Sequence, residues 1–93
     1  MKRIDLIFSE RELDKICSAI DRAGAPGYSV MRHVTGRGPN GEVSEGMDFS
    51  SLGANAHVIV FCEHDVLDKL RTSVRPILNY YGGVAFVGDA ESF

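Results

Sequence analysis

Cysteine is scarce, a long apolar run is absent and positive charge is in deficit, and each shortage closes off a class of protein. Cys17 and Cys62 are the two cysteines and lie far apart. Cys17 falls on an apolar helical face and Cys62 at the end of an apolar strand, so both read as reduced thiols rather than a disulfide. No segment approaches the roughly 18 apolar residues of a membrane span. Met1-Lys2-Arg3-Ile4-Asp5 likewise lacks the apolar stretch of a signal peptide. A cytoplasmic protein without direct membrane insertion is the expectation. Ten Lys and Arg against thirteen Asp and Glu leave a formal charge of −3, which offers nucleic acid no footprint. A few basic residues can still build a local anion site. No serine or cysteine nucleophile has a base at readable spacing, and no rigid element presents a carboxylate pair, so an enzyme is not expected. Internal repeats, linkers and low-complexity segments are missing too.

What the chain does have is glycine, placed on both sides of a short apolar run. Gly24-Ala25-Pro26-Gly27-Tyr28-Ser29-Val30 leads in, and Thr35-Gly36-Arg37-Gly38-Pro39-Asn40-Gly41 leads out. Glycine lets another group come close to bare backbone N–H groups. An arginine between two glycines can grip a phosphate or carboxylate in a two-pronged fashion. From Arg37 to about Gly53 the chain is polar and glycine-rich, with no helical or strand period. Loops of that length inside a compact domain are usually functional or disordered. A glycine–arginine hinge feeding a mobile loop, 37–53, suggests a ligand switch rather than a catalytic centre. The 93 residues make a single domain, 1–93. So short a chain buries roughly 60–65% of its unfolded surface, which gives oligomerisation a reason.

Lys2 to Phe8 alternates, with Ile4, Leu6 and Phe8 on one face and Arg3, Asp5 and Ile7 on the other, which predicts a first strand. Ser9-Glu10-Arg11-Glu12 has the form of a capping box. Leu13, Ile16, Cys17 and Ile20 then recur at helical spacing, and Gly24 ends that helix. Tyr28 to Val34 contains the second strand. Ala54 to Cys62 is the third, with His57, Ile59 and Phe61 facing one way and Val58, Val60 and Cys62 the other. A second helix begins near Asp65, its buried stripe made by Val66, Leu70, Val74, Ile77, Leu78 and Tyr81. Pro76 is expected to kink it or end it early. Gly82-Gly83 stops the helix, Val84 to Val87 is the last strand, and Asp89 to Phe93 a short tail. The order β-α-β-loop-β-α-β is the ferredoxin-like βαββαβ sandwich of the α+β class. Both helices lie on one sheet face, with the first and third strands central. The third and fourth strands are apolar on both faces, so the uncovered face must meet another copy. Asp5 on that face would need a partner or a raised pKa.

With its elements in place, the chain resembles the PII-like signalling proteins across nearly its whole length. The resemblance rests on Arg3-Ile4-Asp5-Leu6-Ile7, on Gly24 to Val30 and on Gly36-Arg37-Gly38. Arg75-Pro76-Ile77-Leu78, Tyr80-Tyr81-Gly82-Gly83-Val84 and Val87-Gly88-Asp89-Ala90 complete it. The tyrosine-glycine-glycine ending is similar to the branch found with inorganic-carbon (bicarbonate) transporters and carboxysomes. The resemblance implies a homotrimer that binds adenine nucleotides in three clefts between subunits, its long loop engaging or releasing a membrane transporter. Gly36, Arg37 and Gly38 then match the loop base that wraps the phosphate. Gly27, Tyr28 and Ser29 match the strand start that lines the nucleotide from a neighbouring subunit. Gly83 matches the backbone position that contacts the base, and Asn40 lies where the family has further polar phosphate contacts.

Two departures set the expected ligand. The loop 37–53 holds no tyrosine of the kind the nitrogen-sensing branch uridylylates, and Asn79-Tyr80-Tyr81-Gly82-Gly83 lacks that branch's lysines. Less positive charge favours ADP or AMP, with ATP and cyclic AMP as alternatives and bicarbonate as a candidate second anion. No resident cofactor is expected. Redox control through a C-terminal loop with paired cysteines, carried by some relatives of the carbon branch, is not expected. A metal-tolerance or efflux-associated protein of the same fold is the alternative, using His57, Cys62 or His64. His33 completes the histidines but no two-plus-two ligand spacing is present, so no metal site is assigned. Glu42, Glu45 and Asp48 read as solvated loop charges. A slow nucleotide hydrolase is a third possibility.

Overall fold

Residues 1–38, 41–43 and 54–93 are described by the computed structural model, residues 37, 38 and 41–43 by their backbone. Strand β1 (Lys2–Ser9) leads through a 3-10 turn at Glu10–Glu12 into helix α1 (Leu13–Arg22), followed by β2 (Tyr28–Val34). Two short strands, β3 (Gly36–Gly38) and β4 (Gly41–Val43), come next, then β5 (Asn55–Cys62), helix α2 (His64–Tyr81) and β6 (Val84–Asp89). The main sheet has the order β2-β5-β1-β6, each neighbouring pair antiparallel. The two longest apolar alternations, β1 and β5, take the centre as expected.

Alternation decides which side of the sheet the helices cover. Ile4, Leu6 and Phe8 of β1 are buried with Ala56, Val58, Val60 and Cys62 of β5. Ile16, Ala19 and Ile20 of α1 and Leu67, Leu70 and Val74 of α2 complete that core. Removing one such aliphatic side chain from water stabilises the fold by about 1.5–3 kcal/mol. The edge strands contribute little to it: all six residues of β6 are exposed, and only Val34 of β2 is even half-buried.

Several local expectations change. The capping box does not form. Ser9 Oγ accepts from the Arg11 N–H at 3.4 Å, closing a 3-10 turn, and Glu12 turns to Lys15 Nζ at 3.2 Å instead. The α-helix proper begins only at Leu13. In α2, Pro76 neither ends the helix nor stands on its buried face, for the helix runs on to Tyr81. Proline removes one hydrogen bond and crowds the Thr72 carbonyl, and the packing of Leu67, Leu70 and Val74 against the sheet outweighs that cost. Leu67 belongs to the buried stripe that periodicity placed elsewhere. Tyr81 does not: it is exposed, with Lys15 Nζ 4.9 Å from its ring centre and Tyr80 edge-on. The last strand also runs two residues further than its apolar stretch. Lys2 Nζ pairs with Asp89 at 2.6 Å, and the Ala90 N–H donates to Met1 O at 3.0 Å.

The stretch read as structureless from Arg37 onward carries a small ladder at its start. Gly36 pairs with Val43, Arg37 with Glu42 and Gly38 with Gly41. Such a ladder needs no apolar period; its cue in the sequence is the turn chemistry of Gly38-Pro39-Asn40-Gly41. Asn40, Glu45 and Asp48 lie outside the described residues, as does most of the span 37–53.

Candidate functional site

The glycine turns put the nominated residues at two opposite ends of the sheet. Gly24, at φ +83°, ends α1, and Gly27 leads into β2, whose first residue Tyr28 pairs with Val60. Tyr28 leans toward α1, where hydrogen bonding to the Cys17 thiol raises its pKa. Cys17 is only partly buried, against expectation, and Cys62 fully so; both are free thiols. Ser29 pairs with Ile59 and so lies on the sheet face away from the helices. About 20 Å further along, the length of a seven-residue strand, β2 ends and Gly36-Arg37-Gly38 begins.

Gly83 stands at that same far end but on the other edge, just before Val84, which belongs to β6 and pairs with Ile7. Three strand spacings, about 14 Å, separate the two edges. A Cβ on Gly83 would lie 2.8 Å from Phe8 Cβ and 2.9 Å from Ile7 O, and its φ is +122°. Its glycine identity therefore has a packing reason independent of any ligand: α2 can close onto β1 only without a side chain there. A single chain thus presents Gly36 to Gly38 and Gly83 at one end and Gly27 to Ser29 at the other.

The root of the long loop is tightly built. His33 has φ +59°, the one positive φ among the described non-glycine residues, and the β2–β5 register shifts between Met31 and Val34. Its backbone N–H donates to Glu10 Oε2 at 2.9 Å, and its Nδ1 lies 3.1 Å from the same oxygen.

The uncovered face of the sheet carries charge at its centre. The Arg3 guanidinium donates to both oxygens of Asp5, at 2.8 and 3.0 Å, and His57 Nε2 lies 2.8 Å from Asp5 Oδ2. The Arg3 hydrogen bond, aided by His57, holds the Asp5 carboxyl down at about 2 despite partial desolvation. Asp5 has found its partners, so its pKa falls where a lone carboxyl's would rise. Phe61, Phe86 and Met31 stand exposed around this group, with Arg3 5.9 Å over the Phe61 ring. On the helix side, a groove of about 370 Å³ opens between α2 and β6. Leu70, Val74 and Ala85 line it, with Arg71, Arg75 and Asn79 beside them; among the described nominated residues only Gly83 touches it.

The sequence matches the family described as nitrogen regulatory protein P-II over residues 1–93. It belongs to that family. Among solved structures, this P-II chain is similar to CPII, a nitrogen regulatory PII-like protein from Thiomonas intermedia K12, bound to ADP, AMP and bicarbonate. That likeness has a TM-score of 0.87 at 24% identity, over 96% of this chain and 84% of that one. The apo form of CPII matches with a TM-score of 0.75 at 21% identity, over 96% and 87% of the two chains. A PII-like signalling protein from Thermus thermophilus matches with a TM-score of 0.75 at 16% identity, over 94% and 83%. At these identities the structures establish a shared fold. No curated protein matches the sequence.

The metal alternative gains no support in this P-II chain. His57 occupies the uncovered face and Cys62 the helix face, where burial pushes its thiol pKa up. His64 lies in the first turn of α2, 3.9 Å from Asp68. No group of three metal-binding side chains occurs among the described residues. No described helix is long and apolar enough to cross a membrane.

Proposed function

We propose that this chain is a signalling protein that assembles as a homotrimer and binds an adenine nucleotide, ADP or AMP, between subunits. Through the loop 37–53 it regulates an inorganic-carbon transporter or a related membrane partner. The observation that carries this reading is the likeness to CPII, whose structure holds ADP, AMP and bicarbonate. The geometry supports it in one respect. Gly36 to Gly38 and Gly83 stand at one end of the sheet and Gly27 to Ser29 at the other. A ligand touching all of them needs a neighbouring copy to supply the second set.

In this mechanism the nucleotide phosphate meets the Arg37 guanidinium and backbone N–H groups from Gly36 to Gly38. Asn40 adds a polar contact, and Gly83 lets the base approach the backbone. Bicarbonate binds beside the phosphate as a second anion. Nucleotide-bound and free loops then differ in affinity for the partner, and only such a difference can transmit a signal.

Isothermal titration with AMP, ADP, ATP and cyclic AMP, each with and without bicarbonate, tests it. Micromolar binding of ADP or AMP is expected, weakened at least about tenfold in Arg37→Ala by loss of a charge-assisted grip. No binding of any of the four would overturn the reading.

A further inference from the structure

Glu10 stands where both roots of the long loop meet. Its backbone N–H donates to Ala54 O at 3.1 Å, at the point where the described chain returns from that loop. Its side chain, 6% exposed, reaches the outgoing root. There Oε2 accepts the His33 backbone N–H at 2.9 Å and sits 3.1 Å from His33 Nδ1, while Oε1 lies 4.0 Å from Arg32 Nη1. A carboxylate so enclosed is disfavoured unless hydrogen bonds and positive charge compensate it, and the two residues before Val34 supply both.

The strand responds to this grip. His33 adopts the left-handed conformation that side chains avoid, and the ladder with β5 slips a register between Met31 and Val34. That turn aims the His33 N–H at Glu10. It also sets the direction in which the chain leaves the sheet toward Gly36.

We propose that Glu10 is a positioning residue for the long loop. It staples the outgoing root through its carboxylate and the returning root through its backbone, and so fixes how Gly36 to Gly38 are presented. Its consequence for ligand affinity rests on the nucleotide reading above; the staple itself does not.

The test is amide hydrogen exchange at His33 and at residues 36–38, with β1 and β5 as the internal reference. In Glu10→Ala, exchange at His33 is expected to rise about tenfold, the effect of losing a hydrogen bond to a charged acceptor, with β1 and β5 unchanged. Glu10→Gln keeps an oxygen acceptor and should restore most of the protection. His33→Val attacks the same contact from the other side, because a β-branched residue resists positive φ, and residues 36–38 should again exchange faster. Unprotected His33 in the wild type, unchanged exchange in His33→Val, or acceleration spread equally over β1 and β5 would overturn the staple. ADP titration of Glu10→Ala separates the two readings. Affinity several-fold below wild type supports the positioning role, and equal affinity overturns it. A wild type that binds no nucleotide sinks the proposed function while the exchange result still decides the staple.

Discussion

The two faces of the sheet are made from the same strands and solve opposite problems. Toward the helices, Ile4, Leu6, Phe8, Val58 and Val60 are each at most 5% exposed, and the chain closes this side by itself. Toward the other side, the residues between them bring a charged group, Arg3–Asp5–His57, ringed by Phe61 at 43% and Phe86 at 63% exposure. Large apolar side chains gathered on one exposed face make a surface that another protein can cover, and the ion pair they surround would lend orientation more than net energy. One face accounts for the folding of the monomer; the other is the surface on which the proposed homotrimer would pack.

The largest expected effect compares neighbours in β5. Val60→Asp places an unpaired charge in the helix-side core and should abolish the cooperative unfolding transition, read by circular dichroism. Ile59→Asp, one residue away on the open face, should keep that transition but leave a monomer in sedimentation. Loss of folding in both variants would mean that the open face is as much core as the other.

Gly83→Ala comes next, with destabilisation of about 2–3 kcal/mol in urea unfolding, from positive φ and the clash with β1. The stability loss must be measured before any change in ligand binding is credited to the position.

The smallest effect sharpens the charged centre. Asp5 is held at about 2 in the folded chain against an ordinary 3.8. Because the folded pKa is the lower one, its stabilisation is complete above about pH 4 and is lost as pH falls toward 2. Water still reaches the group, so the contribution is about 1 kcal/mol. Asp5→Asn should lower the melting temperature near neutral pH by a few degrees and flatten the acid limb between pH 4 and 2. An acid limb unchanged from wild type would place the stabilising carboxylates elsewhere.

Much of this fold was legible because alternation and helical spacing are local. Strands β1 and β5, both helices and the opposite facing of His57 and Cys62 follow from period, and the stop at Gly24 and the start of β2 from the glycine turn between them. Periodicity erred where tertiary packing chose among near-equivalent options. Leu67 and Tyr81 share one face of α2, but Tyr81 is the last residue of the helix and stays exposed while Leu67 packs on the sheet. Pro76 is tolerated because the packing of α2 on the sheet outweighs its local cost. The candidate site was legible as residue types but not as a place: glycines at 27, 36 and 83 promise close approach, and nothing in their spacing says which end of the sheet each occupies. Glu10 carries no sequence signal, since a charged residue after a strand reads as a cap.

The sequence by itself determined the element order, the central strands and membership of the P-II family, because these depend on local pattern and on similarity along the chain. Only the tertiary structure decided that Asp5 is satisfied by Arg3 and His57, that Gly83 is closed against β1, and that Glu10 joins both roots of the long loop. Apart from the local Arg3–Asp5 pair, those contacts link residues far apart in the chain, 52 positions for Asp5 and His57, 75 for Phe8 and Gly83 and 23 for Glu10 and His33. No local preference encodes such meetings; they arise when an antiparallel sheet sets distant strands less than 5 Å apart.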